Sequence, residues 1–67
     1  MKGFIEVTEK EHGVKILIFL NRVISISRSD EDNTAFIELS IDSNGESVGF
    51  NTLENYDSVV QKVKDFA

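Results

Sequence analysis

The stretch that most limits how this chain can fold is residues 16–26, ILIFLNRVISI, where Asn21 and Arg22 separate two apolar runs. Successive residues of a strand point to opposite faces. Ile16, Ile18 and Leu20 therefore point one way and Leu17 and Phe19 the other, so both faces of this strand need cover. Were residues 14–27 one straight strand, Arg22 would share a face with Ile16, Ile18, Leu20, Ile24 and Ile26. Burying an unpaired guanidinium in that row costs several kcal/mol. Breaking the strand at Asn21 is cheaper, because asparagine tolerates turn and left-handed backbone and suits a bulge or corner. The expected result is a strand over about 14–20, a corner, and a new strand over about 23–28.

The flanking sequence fits strands of the same kind. In FIEVTEK, Ile5 and Val7 alternate with Glu6 and Thr8, which predicts a strand over about 3–9 with one wet face. KEHG supplies a turn in which Gly13 can take a positive φ. RSDEDN is a solvated hairpin loop. A strand over about 34–41 follows, with Ala35, Ile37, Leu39 and Ile41 on one face and Thr34, Phe36, Glu38 and Ser40 on the other. The Asn-Gly pair in DSNG is a strong hairpin signal and leads into a strand over about 46–51, with Val48 and Phe50 inward. Gly49 there marks a bulge or a close backbone approach.

At Thr52 the period changes. Leu53, Tyr56, Val60, Val63 and Ala67 recur at three- and four-residue steps, widened by Val59 and Phe66, which predicts an amphipathic helix over about 53–66. Asn51 stands three residues before Glu54, a capping-box spacing, with Thr52 as the alternative cap. Glu54 and Asp57 near the start, with Lys62 and Lys64 near the end, suit the helix dipole. The fold class is α+β: a small, strongly bent antiparallel sheet or partial barrel of four to five strands, followed by one C-terminal helix.

A chain of 67 residues makes one domain, 1–67, and a domain of that size buries only about 60% of the surface its unfolded chain exposes. With no cysteine and the single His12, neither disulfides nor a thiolate or multi-histidine zinc site can add stability. A core shared with a second copy can, so a homodimer is expected. The longest apolar run, Ile16–Leu20, is far short of the roughly 20 residues of a membrane span. Met1 and Lys2 lead straight into a strand pattern rather than a signal peptide, so a cytoplasmic protein with no membrane partner is expected. The net charge of −5, with Lys2, Lys10, Lys15, Arg22, Arg28, Lys62 and Lys64 scattered along the chain, disfavours nucleic acid. A nucleic-acid-binding regulator would need Lys15, Arg22, Arg28 and Lys62 or Lys64 on one face. An acidic inhibitor of a nucleic-acid-binding protein is the other alternative.

Chemistry-bearing groups are sparse. Asp30, Glu31 and Asp32 offer oxygens, but SDEDNTAFIELS lacks the central glycine of a calcium-binding loop and reads as a solvated turn. On that reading Asp32→Val is milder than Asn21→Val, which forces a β-branched residue into the corner. Asp42, Ser43 and Asn44 are explained by the hairpin turn. His12, beside Glu11 and Gly13, is an exposed turn histidine with no nucleophile converging on it. The aromatics Phe4, Phe19, Phe36, Phe50, Tyr56 and Phe66 have acidic rather than basic neighbours and suit packing better than base stacking. No catalytic, cofactor-binding or metal-binding residues are assigned, and no enzyme is expected. The expected function is a small protein-interaction or regulatory module that pairs with itself or with another protein. Its candidate interface residues are Leu17, Phe19 and Phe36, which lie on second strand faces that the main core does not cover.

The order of strand, turn, strand, LN, VISIS, polar loop, strand, NG, strand, then a helix containing YDSVVQKV resembles the flagellar FlbD-like group of small bacterial proteins and similar short proteins. Leu20, Asn21, Ile24, Ile26, Asn44, Gly45, Tyr56, Val59, Val60 and Val63 carry the resemblance over nearly the whole chain. It implies a regulatory or interaction protein without a catalytic set. The chain departs from the pattern in its loop at 28–33 and in the apolar strand over 14–20.

Overall fold

The structure is a computed structural model and describes residues 3–66, so Lys2 and the expected stripe residue Ala67 lie outside the described residues. Its elements are β1 (Phe4–Thr8), β2 (Lys15–Phe19), β3 (Ser25–Arg28), β4 (Thr34–Ile41), β5 (Ser47–Asn55) and α1 (Tyr56–Phe66). The strands form two antiparallel sheets, β1-β2 and β3-β4-β5, rather than one sheet curling into a partial barrel. Among the described residues a single bridge, between Glu9 and Thr52, joins them, beside a bond from the Lys10 N–H to the Asn51 carbonyl at 2.8 Å.

The chain turns from one sheet to the other where the buried-arginine argument requires it. Leu20–Arg22 form one 3-10 turn, closed by the Val23 N–H on the Leu20 carbonyl at 3.2 Å, and Asn21 and Arg22 are exposed. Asn21 reaches this corner without a positive φ; the only described non-glycine residue that takes one is Asn33, at 66°. Beyond the corner β3 starts at Ser25, later than the expected Val23. Val23 and Ile26 pack on the core, while Ile24 is 55% exposed instead of joining Ile26.

Two hairpin loops share one geometry. In the β1–β2 loop the Glu9 N–H donates to the Val14 carbonyl and the Gly13 N–H to the Glu9 carbonyl. In the β3–β4 loop Ser29 bonds Thr34 and Asn33 bonds Ser29 in the same way. The fifth loop residue takes a left-handed φ in both, which Gly13 adopts at no steric cost and Asn33 tolerates. At the β4–β5 hairpin the Gly45 N–H donates to the Asp42 carbonyl at 3.0 Å, and the Asp42 carboxylate accepts the Asn44 and Glu46 amides. This is a type I turn followed by a left-handed glycine, not a two-residue Asn-Gly turn.

The core is Ile5 and Val7 of β1, Ile18 of β2, Ala35 and Ile37 of β4 and Val59 of α1. Ile41 and Val48, both expected inward, lie exposed at the β4–β5 hairpin end. Gly49 marks a close approach: a Cβ there would stand 1.9 Å from the Ile37 carbonyl oxygen. A register shift between the Glu38–Gly49 and Ser40–Val48 pairs adds a bulge at Leu39.

The largest departure from expectation is at the end of β5. Between the Phe36–Asn51 and Thr34–Asn55 pairs β4 advances two residues and β5 four, so Thr52, Leu53 and Glu54 bulge opposite Ala35. β5 therefore runs to Asn55, and the helix begins at Tyr56 rather than near 53. The cap is Asn55, whose Oδ1 accepts the Ser58 N–H at 2.8 Å, and not Asn51. The Tyr56 N–H goes to the Asn33 carbonyl at 2.8 Å. With the start moved, the inward stripe becomes Tyr56, Val59, Val63 and Phe66, centred on fully buried Val59, and Leu53 lies outside it at 54% exposure.

Candidate interaction surface

Among the described residues β2 is an edge strand that pairs with β1 alone. Register pairs Glu6 with Leu17 and Phe4 with Phe19, and cross-strand partners share a face. Phe4, Glu6, Leu17 and Phe19 thus form the outer face of the β1–β2 hairpin, opposite Ile5, Val7, Ile16 and Ile18. Leu17 and Phe19 are 52% and 56% exposed. The Phe4 and Phe19 rings meet edge to face with centroids 6.0 Å apart.

Beside this face a groove of about 240 Å³ runs along the helix, lined by Phe4, Ile5, Glu6, Leu17, Lys62 and Phe66. Lys62 spans it and donates from Nζ to the Glu6 carbonyl at 2.7 Å. Phe4 and Phe66 belong to this surface and were missed as site residues. Their strand and helix spacing signalled packing, and nothing in the sequence brings the end of the helix to the first strand.

Phe36, the third candidate, lies elsewhere. It is half-buried on β4, paired with Ser27 and Asn51, and lines a larger depression of about 560 Å³ with Glu9, Lys10, Glu11, Gly49, Phe50 and Asn51. Lys10, on the lining of that depression, is tied to the β3–β4 loop through Asp32. Its carboxylate pairs with the Lys10 ammonium, accepts the Thr34 hydroxyl at 2.7 Å and accepts the Thr34 amide at 3.2 Å. The Lys10 hydrogen bond, then those from Thr34, hold the Asp32 carboxyl well below the usual carboxylate range. Asp32 is therefore a fastener between two hairpin loops, not the unattached loop acid the sequence suggested.

Glu54 plays a similar part between the sheets. Its carboxylate accepts the Thr8 amide at 2.9 Å and the Thr8 hydroxyl at 3.1 Å. Desolvation pushes this carboxyl up, but the hydrogen bonds from Thr8 and from its own backbone, with the charge of Lys62, outweigh that and leave it below its ordinary value. The buried Thr52 hydroxyl next to it donates toward the Glu54 carbonyl at 2.9 Å and lies 3.2 Å from the Ala35 carbonyl.

Glu9, Glu11 and His12 bring three donor atoms within 4.8 Å of one another on the β1–β2 loop. The sequence placed only Glu11 beside His12. The residue that binds the ring is Glu9, through Nδ1 at 2.8 Å, an i,i+3 contact created by the loop closing on itself. That hydrogen bond, with the charges of Glu9 and Glu11, raises the imidazole above its ordinary 6.5. Among the basic residues Lys10 is paired with Asp32. Arg28 lies over the Tyr56 ring at 4.9 Å and reaches Asp57 at 3.5 Å, and Lys62 is held by the Glu6 carbonyl. No described helix is long and apolar enough to cross a membrane.

No protein-family model matches the chain, and neither the curated proteins nor the solved structures contain a match.

Proposed function

We propose that this protein is a small non-enzymatic interaction module that forms a homodimer through the outer side of its β1–β2 hairpin. The observation that carries the reading is the pair Leu17 and Phe19, each more than half exposed on an edge strand. Large apolar groups left in water forgo roughly 1.5–3 kcal/mol each relative to full burial, and a second copy is a surface that supplies that burial. The FlbD-like resemblance points the same way, toward a regulatory or interaction role. The nucleic-acid alternative is weakened because two of the cations it draws on, Arg28 and Lys62, are engaged within the chain.

The test is the oligomeric state of three lysine variants. Phe19→Lys is expected to be monomeric with strand and helix circular dichroism retained, while Leu53→Lys and Phe36→Lys stay dimeric. Leu53 is as exposed as Phe19 but lies off the hairpin, so it controls for surface apolarity alone. A Phe19→Lys protein that remains dimeric rejects the hairpin as the interface.

A further inference from the structure

The register of β1 and β2 determines which backbone groups β2 offers to a partner. The Leu20 N–H donates to the Gly3 carbonyl and the Glu9 N–H to the Val14 carbonyl, so the even-numbered residues of this segment direct their hydrogen-bonding groups toward β1. In an antiparallel ladder the intervening residues direct theirs away. The N–H and C=O groups of Lys15, Leu17 and Phe19 thus face the open edge, and the helix packs mainly on β1, β3, β4 and β5. The same three residues carry the exposed side chains of the strand.

Edge strands are commonly protected by charge, proline, bulges or brevity. β3, an edge of the other sheet, is four residues of SISR, with Arg28 held over Tyr56 and Asp57. β2, KILIF, has no proline or bulge, and its one charge is at its first residue. β5 is engaged at Asn51 and Thr52 by Lys10 and Glu9, and the outer side of β1 by Glu54 and Lys62, so β2 is the edge left fit for a strand along its length.

Resting on the homodimer reading, we infer that two copies pair β2 to β2 in antiparallel fashion about a two-fold axis through Leu17, forming a continuous β1-β2-β2-β1 sheet. Leu17 then faces Leu17 of the second copy, and Lys15 faces its Phe19. This register puts all three outward residues in hydrogen-bonded pairs, each exchanging both N–H···O bonds. It is self-complementary, as a two-fold interface must be. The Leu17 side chains pack on each other across the axis, and each Lys15 lays its stem and ammonium against a Phe19 ring of the other copy. The centre of the new ladder is uncharged, so the net charge of −5 on each chain acts only at longer range, where salt screens it.

Amide hydrogen exchange on the unmodified protein tests this mode directly. Between a dilute monomeric sample and a concentrated dimeric one, the amides of Lys15, Leu17 and Phe19 are expected to slow by more than about tenfold beyond any change at the β3 edge amides Ile26 and Arg28. A second readout uses the lack of native cysteine: Leu17→Cys is expected to form a disulfide-linked dimer under mild oxidation, and Phe36→Cys is not. If the protein dimerises but these amides stay unprotected and Leu17→Cys cross-links no better than Phe36→Cys, edge pairing is overturned and the hairpins must meet by their faces. Capture of a β-strand from a different protein, without self-association, overturns the second copy as occupant. A protein that never dimerises overturns both this inference and the reading on which it rests.

Discussion

At Gly49 there is no room for a methyl group, since a Cβ would lie 1.9 Å from the Ile37 carbonyl oxygen, a backbone atom that cannot swing aside. Gly49→Ala is expected to cost about 1–3 kcal/mol, the range of an overpacked site, as read from the urea midpoint; a change within the noise of that measurement would contradict the close approach. Asp32 and Asn21 show the opposite lesson, because their expected ranking reverses. Asn21 lies exposed on a 3-10 turn with ordinary backbone angles, whereas Asp32 fastens Lys10 and Thr34. Asp32→Val is therefore expected to lower the unfolding midpoint more than Asn21→Val does, and the reverse order would contradict the fastener role. The corner at Asn21 was legible because a charge cannot sit in an apolar row. Asp32 was not, because its partner is 22 residues away and no spacing links one exposed loop to another.

Among the elements, alternation located the strands well and the helix start poorly. Leu53 and Tyr56 stand three apart, a helical step, and Asn51 and Glu54 stand at a capping distance, so both signals placed the start early. The competing influence is tertiary: Thr52 turns inward to bridge Glu9, and Glu54 turns to the Thr8 amide, which keeps both in β5. Asn55 then has the capping role, and Asn55→Ala is expected to cost about 1 kcal/mol of stability, the usual loss for an N-cap. Asn51→Ala is the comparison, and thermal unfolding of the two variants distinguishes the caps. A larger loss at Asn51 would restore the early start. The candidate surface was partly legible in the same way: alternation exposed Leu17 and Phe19, but whether Phe36 joined them depended on how two sheets meet, and they join at the Glu9–Thr52 bridge with Phe36 on the far side.

For the whole molecule, the ionisable groups make stability depend on pH in two windows. Asp32 and Glu54 are held below their ordinary values of 3.8 and 4.5, so their contribution is present above those values and is lost as pH falls through the folded-state values. His12 is raised above 6.5, so its contribution is complete below 6.5 and is lost as pH rises through the folded-state value. The thermal midpoint is therefore expected to peak between pH 4.5 and 6.5, falling on both sides. His12→Asn should flatten the alkaline fall and leave the acid limb in place; an unchanged alkaline limb would remove His12 from the account.

The two-sheet arrangement also explains why assembly is the central question. One helix covers the inner face of the sheets, and β2 is left with apolar side chains outside and an open edge. Light scattering on a dilution series of the unmodified chain tests this most directly. The account predicts a mass near twice 7.5 kDa in the micromolar range, falling toward 7.5 kDa on dilution. A mass of 7.5 kDa at every concentration would contradict it, and Leu17 and Phe19 would then be exposed for a reason other than self-association.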